Sequence, residues 1–170
     1  MAGFITQIGE AFVGEGAEAA HLNTVLGERN GPVGTAWATA LATPRQGHAA
    51  FLAVVRPGVA CKPPTLFVNK AALESDSHAR LTWGAAQAGV ASGVMRAVAD
   101  GVIERAHVDD LVLIAAVWVA PGATDADLVF DNNLAATQRA LEAGAKQSPG
   151  LEEALESSLQ PYNPFFRSPS

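Results

Sequence analysis

A single cysteine, Cys61, rules out an intrachain disulfide and any multi-cysteine zinc site. Basic residues are also short: 11 Lys and Arg stand against 17 Asp and Glu, leaving a net charge of -6. That balance argues against nucleic acid, whose binding rests on cations neutralising phosphates. The longest apolar run, Leu111 to Pro121, falls well short of the roughly 20 residues a membrane helix needs, so no membrane role is expected. Met1-Ala2-Gly3-Phe4 carries no basic region or apolar stretch suited to a signal peptide, and a cytoplasmic, reducing setting is the expectation. Gly14-Glu15-Gly16 lacks the third glycine of a dinucleotide fingerprint. Neither a Gly-Lys-Ser/Thr phosphate loop nor a Gly-x-Ser-x-Gly elbow occurs. His21, His48, His78 and His107 are scattered without metal-ligand spacing, so no metal is expected.

What is present is a globular composition, 49% apolar and 16% charged over 170 residues, enough for one domain spanning 1–170. Strands are expected over Thr6–Val13, Glu18–Leu26, Phe51–Val55, Thr65–Leu73 and Leu111–Val119, with turns at Gly14–Gly16, Pro57-Gly58 and Asp109-Asp110. In the second, alternation puts His21, Asn23 and Val25 on one face and Leu22, Thr24 and Leu26 on the other. Helices are expected over Pro32–Ala42, Leu81–Val102, Asn132–Ala145 and Leu151–Leu159, with Asp131-Asn132-Asn133 capping the third. Leu81, Ala85, Ala88, Met95, Val98 and Val102 form an apolar stripe in the second helix. Gly84, Gly89 and Gly93 inside it point to a close backbone or ligand. Residues 160–170 read as an extended tail packed on a neighbouring subunit. This order gives an α+β class, a mostly antiparallel sheet packed with helices.

Whole segments carry more than any motif does. Ile8-Gly9-Glu10-Ala11, Gly14 through His21, Gly31 through Ala36, Leu52-Ala53-Val54 and Lys62 through Leu66 run collinearly with the formaldehyde-activating enzyme family. So do Asn69-Lys70, Gly84 through Gln87, Ala97 through Ile103, Asp109-Asp110-Leu111 and Asn133 to Ala140. Asn163-Pro164-Phe165 is a weaker echo. The chain resembles that family over nearly its whole length. The resemblance implies condensation of formaldehyde with the co-substrate tetrahydromethanopterin, giving the methylene-bridged pterin and water. It implies a fold like ribosomal protein S5 domain 2 and a homopentamer with sites between subunits. Because a pterin of this kind carries acidic groups, a locally basic site is compatible with the acidic chain.

By the same resemblance, His21 holds the proton-donor position, and Leu52, Lys70 and Gln87 hold pterin-contact positions. Histidine gives and takes protons near neutrality, which suits expulsion of water from a carbinolamine. The alternative for His21 is a strand histidine satisfied by a backbone partner; for Lys70, a solvated lysine; for Gln87, a helix-surface glutamine; for Leu52, plain core. Two positions depart from the family pattern: Asn23 stands where active members carry aspartate, and Ala72 where they carry threonine. Asparagine keeps the hydrogen bond but drops a charge that favours imidazolium. Ala72 deletes a hydroxyl, about 0.5–1.5 kcal/mol of binding. These departures leave two competing readings: a member that binds pterin or formaldehyde as carrier or sensor, and a purely structural homologue. Cys61 reads as inert despite neighbouring Lys62, and Trp37, Trp83 and Trp118 read as core or subunit contacts.

Overall fold

The computed structural model describes residues 4–167, so residues 1–3 and 168–170, the ends of the expected domain and tail, lie outside the described residues. Nine strands and five α-helices are described. β1 (Gln7–Val13), β2 (Ala20–Glu28), β3 (Phe51–Leu52), β6 (Thr65–Asn69) and β7 (Leu111–Trp118) form one sheet in the order β1-β2-β7-β6-β3. All pairs are antiparallel except β6 with β7. β4 (Val54–Arg56) and β5 (Val59–Ala60) make a separate hairpin around the predicted Pro57-Gly58 turn. The run expected as one strand, Phe51–Val55, therefore serves two sheets: Ala53 between them is fully buried and hydrogen-bonds Thr65 and Cys61.

Alternation along the strands decides the two faces of the sheet. Leu22, Thr24 and Leu26 of β2 are buried on the back face, where α4 (Ala126–Lys146) packs on β1 and β2. Gly9 belongs to this face because a Cβ there would strike the backbone of Ala140. α3 (Gln87–Ala99) packs on α4, and Gly93 sits where a Cβ would lie 2.8 Å from the carbonyl of Leu134. Each fully buried Leu or Phe in this core, such as Leu22, Leu113 and Phe67, contributes about 1.5–3 kcal/mol. On the front face, α1 (Pro32–Ala42) packs on β2 and β7, with Val33 seated against Gly27. The other end of that face, around His21, is left uncovered by α1.

Several expected boundaries move for identifiable reasons. The long helix begins as α2 (Asp76–Arg80), with Ser75 accepting from the His78 amide, and passes through a π-helical segment, Leu81–Ala86, before α3. The wider π turn shifts the helical phase, so Ala86, Val90, Val94 and Ala97 join Leu81 and Val98 of the expected stripe in the core, while Ala85, Ala88, Met95 and Val102 are only half-buried. Gly89 and Gly93 are explained by α4, whereas Gly84 faces open space. α4 starts earlier than expected because Asp125 caps it, accepting from the amides of Asp127 and Leu128 at 3.0 Å. Asp131, Asn132 and Asn133 are consequently interior, not capping; Asn132 bonds the Glu18 carbonyl and Asn133 the Val129 carbonyl. α5 (Leu151–Ser157) follows, and the expected extended tail instead folds into a small hairpin, β8 (Tyr162–Asn163) with β9 (Phe166–Arg167). No helix among the described residues is long and apolar enough to cross a membrane.

Candidate active site

His21 and Asn23 sit two residues apart on β2, so both side chains project from the front face. Glu10 of β1 pairs across the ladder with Asn23, and Phe12 with His21; on the other side His21 pairs with Trp118 of β7. Lys70 follows the last residue of β6, its amide bonded to the Val117 carbonyl at 2.7 Å. From there its side chain crosses β7 to reach β2, over a lane where Ala116 presents only a methyl group.

These elements bring four polar groups together. His21 Nε2 lies 3.0 Å from Glu10 Oε1, and His21 Nδ1 lies 3.4 Å from Lys70 Nζ. Lys70 Nζ also donates to Asn23 Oδ1 at 2.7 Å. A carboxylate only accepts, so the ring proton belongs on Nε2, with Nδ1 receiving from the lysine. Burial pushes Lys70 below the ordinary lysine value of 10.5, and the Glu10 carboxylate opposes that shift. The base of Lys70 is held from below: Asn69 donates to the carbonyls of Gly47 and Ala71 at 2.8 Å, and His48 Nδ1 donates to the Asn69 carbonyl.

His21 and Glu10 open into a cleft of about 1160 Å³, walled by Phe12 and Trp118 on the sheet and by the C-terminal hairpin opposite. This volume is of the size that admits a cofactor-sized molecule. Trp118 thus lines a cleft and does not fill the core, and Trp83 is 46% exposed.

Not every predicted residue joins this cluster. Leu52 lies on β3 at the far edge; β7 and β6 intervene, which places it roughly 14 Å from the strand of His21. Gln87, buried at the start of α3, donates to the Val54 carbonyl at 2.8 Å. Ala72 is exposed and packs beside Gly47, where an added Cβ would come within 3.1 Å of the alanine methyl. Glu10 was missed from sequence because the register of β1 on β2, which sets it beside His21, is not written in either strand alone. Cys61 is buried, and burial raises its thiol to about 11, in keeping with an inert residue. Asp109 pairs with Lys62 at the surface, away from the cluster. Among the described residues, no group of three or more His, Cys, Asp or Glu is arranged to hold a metal ion.

A sequence model of the formaldehyde-activating enzyme (Fae) matches residues 8–166. The chain belongs to this family. It is 42% identical to a 5,6,7,8-tetrahydromethanopterin hydro-lyase of Methanosarcina barkeri, over 94% of this chain and 90% of that protein. It is also 36% identical to a bifunctional enzyme Fae/Hps of Archaeoglobus fulgidus, over 94% of this chain but 40% of that protein. A bifunctional enzyme Fae/Hps of Methanocella arvoryzae is 40% identical over 86% of this chain and 37% of its own length. The chain therefore corresponds to well under half of each of these two bifunctional proteins. Within this formaldehyde-activating enzyme family member, Asn23 takes up the Lys70 ammonium with its amide oxygen, and the carboxylate beside His21 comes from Glu10.

Proposed function

We propose that this chain condenses formaldehyde with tetrahydromethanopterin to methylene-tetrahydromethanopterin and water, with His21 as general acid. The observation that carries the reading is the placement of His21 Nε2 in an open cleft, beside Glu10 and backed by Lys70, in a chain of this family. A ring amine of the pterin adds to formaldehyde, forming a carbinolamine. The Nε2 proton passes to its hydroxyl as Nδ1 takes one from the Lys70 ammonium, water leaves and an iminium forms. The second amine then attacks the iminium carbon, closes the ring and loses its proton, which restores His21. Proton transfer of this kind contributes about 10²–10⁴-fold.

Glu10 keeps the proton on Nε2, facing the cleft, and Lys70 fills Nδ1 from behind. Asn23 holds Lys70 in place, so loss of the aspartate charge at that position leaves the geometry intact. This favours the lyase over a carrier or sensor. Leu52, Gln87 and Ala72 are not among the residues that line the His21 cleft of one chain. We assign them to the pterin wall of a site completed by an adjacent subunit in a homopentamer of single-domain chains with the S5 domain 2-like fold. Support for assembly comes from apolar surface a lone chain leaves wet: Leu41 on α1, and Leu151, Leu155 and Leu159 along and just after α5, are all exposed. A buried free thiol at Cys61 accords with a cytoplasmic, reducing setting in one-carbon metabolism.

Initial rates of condensation with and without the protein test the reading. Rates above the uncatalysed background support the lyase; saturable pterin binding with background rates would replace it with the carrier or sensor.

A further inference from the structure

The C-terminal hairpin is attached to the rest of the fold in an unusual way. Tyr162 and Phe165 are 79% and 80% exposed, and the preceding α5 buries no residue. Yet Phe165 meets Trp118 edge to face, ring centroids 6.0 Å apart. Trp118 is the cross-strand partner of His21, so this one aromatic contact sets the hairpin directly over the proposed proton donor. The Asn163 side chain accepts from the Phe165 amide at 2.9 Å, fixing the turn that presents the ring.

Charge gives the hairpin a second property. The side of the cleft opposite the hairpin is lined by Glu10 on β1 and by Glu15 in the bend that follows it, and Arg167 on β9 is the one Lys or Arg among its lining residues. Arg167 has no ion-pair partner among the described residues. An anionic group entering the cleft would be repelled from the sheet side and attracted to the hairpin.

We propose that the C-terminal hairpin is the outer wall of the His21 cleft, docked by Phe165 on Trp118, and that Arg167 holds the anionic side chain of the pterin. This rests on the pterin reading above. The bicyclic head then faces His21 and the acidic chain runs outward along β9. The wall also limits water around the iminium, which water would otherwise return to carbinolamine.

Equilibrium binding to the full-length protein separates these roles without requiring turnover. Two ligands serve as probes: tetrahydromethanopterin and 6-methyltetrahydropterin, which lacks the acidic chain. Arg167→Gln should weaken tetrahydromethanopterin about tenfold, as expected for one charge-assisted contact, and leave the short pterin unchanged. Phe165→Ala should weaken both and shift Trp118 emission to the red, a readout that needs no ligand. Equal effects of Arg167→Gln on the two ligands, or none on either, would overturn the assignment of Arg167. Unaltered Trp118 emission, or loss of assembly mass in Phe165→Ala, would overturn the docking and make the hairpin a subunit contact. A wild-type chain that binds neither pterin would sink the pterin reading itself and this inference with it, whatever the fluorescence shows.

Discussion

Lys70 and Asn23 are joined across the sheet: the ammonium of the first donates to the amide oxygen of the second at 2.7 Å, spanning from the end of β6 to β2. The Asn23 amide thereby fixes where the Lys70 ammonium lies. The charge near His21 is supplied by Glu10, 3.0 Å from Nε2. The two carbonyl-type oxygens are not equivalent, and exchange of each should give a different result. Asn23→Asp should change kcat by less than about tenfold, because the hydrogen bond it makes is already present. Glu10→Gln should lower kcat by about tenfold or more with little change in pterin KM, since the ring exchanges an acceptor-only carboxylate for a neutral amide that can equally turn an N–H toward it. Steady-state kinetics on the two variants check both. A larger loss for Asn23→Asp than for Glu10→Gln would contradict this division of roles.

Lys70 also makes stability depend on pH in a defined direction. Its folded value lies below the ordinary 10.5, through burial, so the unfolded chain holds that proton more tightly. Between the two values unfolding takes up a proton, and stability rises with pH. The cost of burying the ammonium is present at neutral pH and is relieved as pH climbs through the folded value toward 10.5. Thermal melts of wild type and Lys70→Met should show the wild type gaining on the variant across that window. A difference that stays flat or reverses would refute it.

Gly93 and Gly84 offer a paired test of the packing. Gly93→Ala places a methyl 2.8 Å from the Leu134 carbonyl and should destabilise by about 1–3 kcal/mol as α3 and α4 are pushed apart. Gly84→Ala meets nothing within 4 Å and should be neutral or stabilise by up to about 1 kcal/mol. Chemical denaturation reads both.

Cys61 should resist alkylation. With its thiol raised to about 11, the reactive thiolate is on the order of one part in ten thousand at pH 7, and the side chain is fully buried. Iodoacetamide should label the protein only after unfolding. Rapid labelling of the native protein would show that the β5–β6 region opens readily.

Much of this architecture was legible from the sequence, and the failures have physical causes. α1 was placed to the residue because Pro32 marks its first turn and Pro44 follows its end. β7 was legible because a run of eight apolar residues after Asp109-Asp110 suits a central strand. The alternation that put His21 and Asn23 on one face held. What alternation cannot supply is register: Glu10 meets His21 only because β1 pairs on β2 in one alignment, and Lys70 reaches both only because β6 runs parallel beside β7. Nor does helical periodicity foresee a π turn, so the stripe read through Leu81 and Val98 kept those two in the core but did not name Ala86, Val90, Val94 and Ala97. The Asp131-Asn132-Asn133 cluster looked like a cap, but Asp125 intervened six residues earlier. The resemblance that suggested His21, Lys70, Leu52 and Gln87 also could not say that the last two lie apart from the first.

The most direct test is the initial rate of formaldehyde condensation with tetrahydromethanopterin for wild type, His21→Ala and a no-protein control. The account predicts a wild-type rate well above background and a fall of about a hundredfold or more in the catalysed component in His21→Ala. A variant that keeps the wild-type rate, or a wild type indistinguishable from background, would contradict it.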